Sequence, residues 1–392
     1  MKYINIKFFV ILTMAGFNIS CSDDEESDTI DLSISPSTNA NTGSSYTHAN
    51  HVDIQVSYFF VPSGDNTGDL RDAIAYIDAN GDGHTDVFMA TGEFQLQGEV
   101  NSILAINDGA GNFSSSTSEF GDNMPPATHA RKSIVSDFNG DGLDDIFVFD
   151  HGFDSDPFPG SNPKLIIQNA VGSFSWSKLL DQTGFHHGGA SADIDNDGDV
   201  DVFVGGNEPF FYVNDGNANF EMVTDRFDRS IQKIFSVELI DVDEDGFVDL
   251  LAGAHEHDGD ETSIYWGSST GSYTNNLRTV VPAASNYGTV LDFDAEDFDK
   301  DGDRDLLINR TGGGNNNFYV GSRIQLLMND GNRTFSDKTS QIDNPGSDTD
   351  DWFPWLRAQD ADSDGDIDFF PDDSAFGFKY LNDGSGNFTR TQ

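Results

Sequence analysis

Cysteine occurs once in the 392 residues, at Cys21, so no internal disulfide can form. Basic residues are also scarce: 20 Lys and Arg stand against 68 Asp and Glu, a formal net charge of −48. With so few cations no basic patch can neutralise phosphates, which excludes nucleic acid as a partner and disfavours direct contact with anionic lipid. No P-loop, HExxH, Gly-x-Ser-x-Gly or dinucleotide fingerprint is present, so the common phosphate, zinc-protease, hydrolase and nucleotide-cofactor chemistries have no signature here. Apolar content is not lacking. At 36% hydrophobic with 33 Phe, the chain can bury a sizeable core, and its acidity is not that of a disordered tail.

What is present is a repeated acidic frame. Residues 193–201 read DIDNDGDVD, and the frame recurs at 78–86 (DANGDGHTD), 137–145 (DFNGDGLDD), 241–249 (DVDEDGFVD), 297–305 (DFDKDGDRD) and 360–368 (DADSDGDID). Each copy has Asp at position 1, Asp or Asn at 3, Asp at 5, Gly at 6 and Asp at 9. Oxygens at positions 1, 3 and 5 converge if the chain curls tightly, and the glycine permits the positive φ that the curl needs. An all-oxygen cage suits a hard cation, and Ca²⁺ tolerates irregular geometry better than Mg²⁺ does. The cation would offset the repulsion among the aspartates.

The expected ligands follow from the frame. They are Asp78, Asn80, Asp82, His84 and Asp86; Asp137, Asn139, Asp141, Leu143 and Asp145; Asp193, Asp195, Asp197, Asp199 and Asp201; Asp241, Asp243, Asp245, Phe247 and Asp249; Asp297, Asp299, Asp301, Asp303 and Asp305; and Asp360, Asp362, Asp364, Asp366 and Asp368. Position 7 would contribute its backbone carbonyl, which leaves its side chain free to vary. About six structural Ca²⁺ ions are expected.

An EF-hand shares positions 1, 3, 5 and 6 but needs a bidentate Glu at position 12 and flanking helices. Position 12 here is Met89, Val148, Val204, Ala252, Ile308 and Pro371. Each loop is followed by a short apolar run, such as IFVF or VFVG, that reads as a buried strand. Position 9 must therefore supply the closing carboxylate, in a loop between two strands.

A second element follows each loop by about 20–30 residues: LAINDGAGNF (104–113), LIIQNAVGSF (165–174), YVNDGNANF (212–220), YWGSSTGSY (265–273), LLMNDGNRTF (326–335) and YLNDGSGNF (380–388). An apolar strand enters Asn-Asp-Gly or a relative and leaves as a strand marked by Phe or Tyr, a tight-hairpin signal. The repeat is thus strand, acidic loop, strand, strand, tight turn, strand. Successive loops start at 78, 137, 193, 241, 297 and 360. Four antiparallel strands per unit with variable connections predict an all-β fold, a β-propeller of six blades with a Ca²⁺ loop in each. Residues 52–61 (VDIQVSYFFV) could close the ring or be the remnant of a seventh blade.

The loop pattern, the unit length and the Asn-Asp-Gly-x-Gly-x-Phe element resemble those of FG-GAP/VCBS repeat proteins, relatives of the propeller in integrin α-subunit heads. The resemblance covers roughly residues 69–392. The Phe-Gly and Gly-Ala-Pro signatures of that family are mostly missing; AGA at 252–254 comes near. The family includes adhesins, lectins, secreted binding modules and a few polysaccharide-lyase propellers.

The start of the chain reads as a signal peptide. Lys2 and Lys7 precede an apolar stretch, 8–17, too short to span a bilayer. The ending FNISC resembles a bacterial lipobox, making Cys21 the expected lipidated residue; Asn18 stands where Leu is usual. The acidic SDDEE that follows resembles an export tag of surface lipoproteins. Residues 22–45, rich in Ser, Thr, Asn and Asp, read as a disordered tether, and 46–392 as the repeat domain. These readings place a monomeric domain at the outer membrane, facing outward and touching the membrane only through its lipid.

Two functions stay open at this level. One is a non-catalytic recognition or adhesion module for a glycan or an extracellular protein. The other is a Ca²⁺-dependent polysaccharide lyase, which needs a base and a cation for the uronate carboxylate. Arg131, Lys132, Arg226, Arg229, Lys233 and Arg310 are scattered along the chain, which favours binding. The candidate ligand contacts are Trp352 and Trp355 in DDWFPWLR, with His129 and His187, which lie before the inner strands of their units. The His255–Glu256–His257–Asp258 cluster reads as a solvated loop before it reads as a transition-metal site.

Overall fold

The computed structural model describes residues 70–92, 98–110, 112–179, 183–228, 233–313, 319–371 and 376–391. Cys21, the expected tether and the 52–61 stretch lie outside them. Among the described residues no helix is long and apolar enough to cross a membrane.

The described chain is all-β and built from six four-stranded antiparallel units. Unit 1 holds β1 (Leu70–Ile77), β2 (Asp86–Gly92), β4 (Ile103–Asn107) and β5 (Phe113–Ser116), with a short side ribbon of β3 (Val100–Asn101) and β6 (Pro126–Ala127). Unit 2 holds β7 (Ala130–Ser136), β8 (Asp145–Asp150), β9 (Lys164–Ala170) and β10 (Ser173–Lys178). Unit 3 holds β11 (His186–Ala192), β12 (Asp201–Gly206), β13 (Phe210–Asn214) and β14 (Phe220–Val223). Unit 4 holds β15 (Ile234–Ile240), β16 (Asp249–Ala254), β17 (Ser263–Tyr265) and β18 (Arg278–Val280). Unit 5 holds β19 (Thr289–Glu296), β20 (Asp305–Gly312), β21 (Val320–Asn329) and β22 (Phe335–Asp337). Unit 6 holds β23 (Leu356–Gln359), β24 (Asp368–Pro371), β25 (Lys379–Asn382) and β26 (Phe388–Thr391). Pairing of Gly206 with Ile234 fuses units 3 and 4 into one eight-stranded sheet.

Each acidic frame joins the first strand of its unit to the second, and its position-9 Asp is the first residue of that second strand. The second strands are apolar without alternation because both of their faces are covered. In β8, Ile146 and Val148 pack toward unit 1, while Phe147 and Phe149 pack toward unit 3. The core is accordingly a series of layers between successive units: 1 with 2, 2 with 3, 3 with 4, 4 with 5, and 5 with 6.

The expected closure into a propeller is not found. No apolar layer joins unit 6 to unit 1 among the described residues, and the sheets do not close on one another. Among the described residues the other face of unit 1, with Val87, Met89 and Ala105, packs with residues of its own unit. The integrin-head resemblance therefore holds for the repeat and not for a closed ring. Side-by-side packing of neighbours is written into each repeat; contact between the first and last units is not.

Candidate functional site

The six acidic loops share one geometry. In the fifth, the Asp297 carboxylate accepts the backbone N–H groups of Asp301 (3.1 Å) and Gly302 (3.0 Å), and Asp301 accepts that of Asp303 (2.9 Å). Gly302 has φ of 100° and Gly198 99°, the left-handed conformation that position 6 was expected to need. Position 4 is left-handed as well, even where it is Glu244 (φ 55°), Lys300 (62°) or Ser363 (65°). Only Gly81, Gly140 and Asn196 at that position hinted at this in the sequence.

Position 9 does more than close the loop. One oxygen of Asp305 accepts the N–H of Phe298 (3.0 Å) and the other that of Asn329 on β21 (2.8 Å). The same pair recurs at Asp86, Asp145, Asp201, Asp249 and Asp368, so each Asp bolts its loop to the third strand. Burial, with the neighbouring loop carboxylates adding to it, pushes Asp86 up to about 6, Asp145, Asp201 and Asp305 to about 7, and Asp249 to about 8, against the pull of the amides. The Asn of the second repeat element ties units together: the Asn214 side-chain amide donates to Val200 O in its own unit (3.1 Å) and to Phe138 O in the loop of unit 2 (2.8 Å).

In four loops three carboxylate oxygens from different residues lie within 4.8 Å of one another: Asp193, Asp195 and Asp197; Asp241, Asp243 and Asp249; Asp297, Asp299 and Asp305; Asp360, Asp362 and Asp368. Loops 1 and 2 carry Asn80 and Asn139 at position 3, each donating to the position-5 carboxylate (2.9 and 3.1 Å). The donor set is all oxygen and fits a hard divalent cation. Two side chains that sequence reasoning missed also reach these loops. Arg226 donates to Asp195 (2.8 Å), and Arg333 to Asp243 (2.5 Å) and Asp245 (2.9 Å). Sequence separations of 31 and about 90 residues hid both.

The loops follow the inner strands; a cleft sits at the strands' starts. It draws on units 2 to 6. It is lined by the aromatic Trp352, Trp355 and Tyr319, by Pro354, Val290 and Leu291, and by the polar Thr289, Arg131, His187 and His255. Trp352 and Tyr319 stack with ring centroids 4.4 Å apart at 25°. Tyr319 is held at φ of 63°, an uncommon conformation for a bulky residue. At ~3.3 Å per residue, a seven-residue inner strand such as β7 separates cleft from loop by roughly 20 Å.

Of the expected contacts, Trp352, Trp355 and His187 come together here, all half-buried. Phe353 between the tryptophans is 2% exposed and belongs to the core between units 5 and 6. His129 lies beneath the surface, 4% exposed, where its Nε2 accepts from the Arg131 guanidinium (3.4 Å). Arg131, His255 and Tyr319 were not among the expected contacts; they come from segments whose ends only folding brings together. Other cations hold acids: Lys132 pairs with Glu238, Lys164 with Asp150, Lys233 with Asp258 (2.9 Å) and Arg310 with Glu256 (2.8 Å). His255, His257 and Asp258 bring ligand atoms within 4.8 Å, but a metal there would have to compete with the Lys233 ammonium.

His129 and His186 are buried. Burial, then the Arg131 and His151 charges, lower His129 to about 3 against the pull of Asp150; burial lowers His186 to about 4, with Asp150 opposing and His151 and Lys164 adding to the fall. Both histidines are neutral in the fold at neutral pH. Above pH ~6.5 the unfolded chain is neutral there too, and nothing is lost; as pH falls below it the unfolded state binds protons first and stability drops. Each contributes a loss of about 2 kcal/mol by pH 5. Comparing denaturant melts of the wild type and a His129→Asn/His186→Asn variant at pH 7 and pH 5 should show the acid loss shrinking in the variant. Equal losses would refute the assignment.

Fold and loops define a class, the all-β repeat proteins whose units each carry an acidic Asp-Gly loop between their first two strands. The FG-GAP-like repeat model matches residues 78–148, 137–204, 193–252 and 241–308, more than half of the chain, and the chain belongs to that family. No curated protein matches it. Among solved structures, the V. cholerae biofilm matrix protein Bap1 is similar over 74% of this chain and 42% of that chain, at TM-score 0.42 and 18% identity. This chain thus spans less than half of that protein's length.

Proposed function

We propose that this protein is a Ca²⁺-loaded, non-catalytic binding module held at the cell surface, and that its ligand is a glycan received by the aromatic cleft. The observation that carries the reading is the Trp352–Tyr319 stack beside Trp355, half-buried at the surface where the starts of several units' strands meet. Flat aromatic faces beside a few polar groups suit sugar rings and need no perturbed acid or base. The loop aspartates stand about one strand length away, so Ca²⁺ in them is structural and not part of the ligand contact. Surface display rests on the lipobox-like Cys21 and the segment after it, with the lipid as the only membrane contact and a monomer as the working form.

Replacing Trp352 and Trp355 together by Ala should weaken binding to array-selected oligosaccharides at least about tenfold, equivalent to ~1.4 kcal/mol. The Ca²⁺-dependent melt should stay close to that of the wild type. Unchanged affinity would overturn the assignment of the cleft. New ultraviolet absorbance from unsaturated sugar ends would instead make the protein a lyase.

A further inference from the structure

Resting on the reading of the loops as Ca²⁺ sites, we infer that Arg333 is a built-in counter-ion of loop 4 (241–249). It holds that loop together without metal, and Ca²⁺ has to compete with it for Asp243 and Asp245.

The contacts are those of a fork on two carboxylates. Nε of Arg333 donates to Asp243 (2.5 Å) and an Nη to Asp245 (2.9 Å), so one guanidinium bridges positions 3 and 5 of the frame. The other oxygen of Asp243 accepts the N–H of Asp245 (3.3 Å), and the other oxygen of Asp245 accepts that of Phe247 (3.0 Å). All four oxygens of the two carboxylates thus hold a donor. Asp243 is also one of the three loop-4 residues, with Asp241 and Asp249, whose oxygens lie within 4.8 Å of one another. Guanidinium and hard cation want the same atoms, and each repels the other.

The chain accepts strain to place this arginine. Arg333 stands two residues before the aromatic residue of its hairpin, where units 2, 3, 4 and 6 have Gly172, Ala218, Gly271 and Gly386. All five are left-handed, and Arg333 has φ of 63°, a conformation that costs a long side chain energy. The position faces the acidic loop of the preceding unit: a Cβ on Gly271 would come 3.0 Å from that of Asp195 in loop 3. Unit 4 fixes the arginine from the other side. The guanidinium lies 4.9 Å from the ring centroid of the buried Trp266. Trp266 Nε1 donates to the Thr279 hydroxyl (3.0 Å), which donates to the Arg333 carbonyl (2.9 Å). Backbone and head group are both held, so little freedom is lost in gripping the carboxylates.

The test titrates Ca²⁺ calorimetrically into the purified wild type, Arg333→Asn and Arg333→Asn/Asp243→Asn, and melts each in EDTA and in saturating Ca²⁺. Asn tolerates the left-handed backbone. Arg333→Asn should tighten one site at least about tenfold, and the added Asp243→Asn should abolish that gain. In EDTA Arg333→Asn should melt about 2–4 °C below the wild type; in saturating Ca²⁺ the gap should vanish or reverse. An equal loss in both conditions, with every affinity unchanged, would make the residue purely structural and overturn this inference while the Ca²⁺ reading stands. No Ca²⁺ bound by the wild type would overturn both. Should Arg333→Asn fail to fold, Arg333→Gly, the residue at this position in three other units, gives the same comparison.

Discussion

Excess EDTA is expected to lower the melting temperature by roughly 15–20 °C. Extracellular Ca²⁺ sites with a Kd of ~0.1 mM in ~1 mM free Ca²⁺ contribute about 1.4 kcal/mol each, and six independent sites about 8 kcal/mol. That is comparable with the whole stability of a typical domain. At the low end of ~2–4 °C per kcal/mol, suited to a large chain, the shift follows. The loops explain why the effect should be large. Four of them bring three carboxylate oxygens within 4.8 Å of one another, and the position-9 Asp of every loop also ties it to the following strands. A cation bound there would stabilise both the loop and the sheet that hangs from it. A melt unmoved by EDTA, with no metal found by mass spectrometry of the purified protein, would overturn the proposal.

Lys132→Met is expected to cost about 3–5 kcal/mol, the range for removing one partner of a buried pair. Lys132 and Glu238 are each 2% exposed and come from β7 and β15, two units apart. Asp292 on β19 stands in the same field, and its carboxylate accepts the N–H of Leu356 at the start of β23 (2.8 Å). The single change removes the Lys132 ammonium from the buried Glu238 at a point where four units meet. Lys132→Met combined with Glu238→Leu removes both charges and should recover most of the loss, because a buried pair replaced by apolar groups is often neutral. Denaturant melts of the two variants check this. A cost below about 1 kcal/mol for the single change would show that the pair is solvated.

The repeat units were legible because everything that makes them is local. Phe147 and Phe149 alternate with Ile146 and Val148 within one run, and that run already requires both faces of β8 to be covered. Gly at position 6 announces its left-handed turn; Glu244 and Lys300, left-handed at position 4, announce nothing, because the loop's hydrogen bonds impose that conformation on them. Trp352 and Trp355 stood out in the connection DDWFPWLR, but whether their rings lay at the surface or in the core between units was open until the fold placed both at the cleft.

The sequence by itself determined the all-β class, the four-stranded unit and the six acidic loops. Each of these depends on residues within one repeat. Tertiary structure alone decided whether the stack closes, and among the described residues the sheets do not close on one another. It also decided that Arg131, His187, His255, Tyr319 and Trp352 share one cleft. Those residues span more than 200 positions, and what joins them is the parallel stacking of strand ends from successive units, a property of the packed layers and not of any one segment.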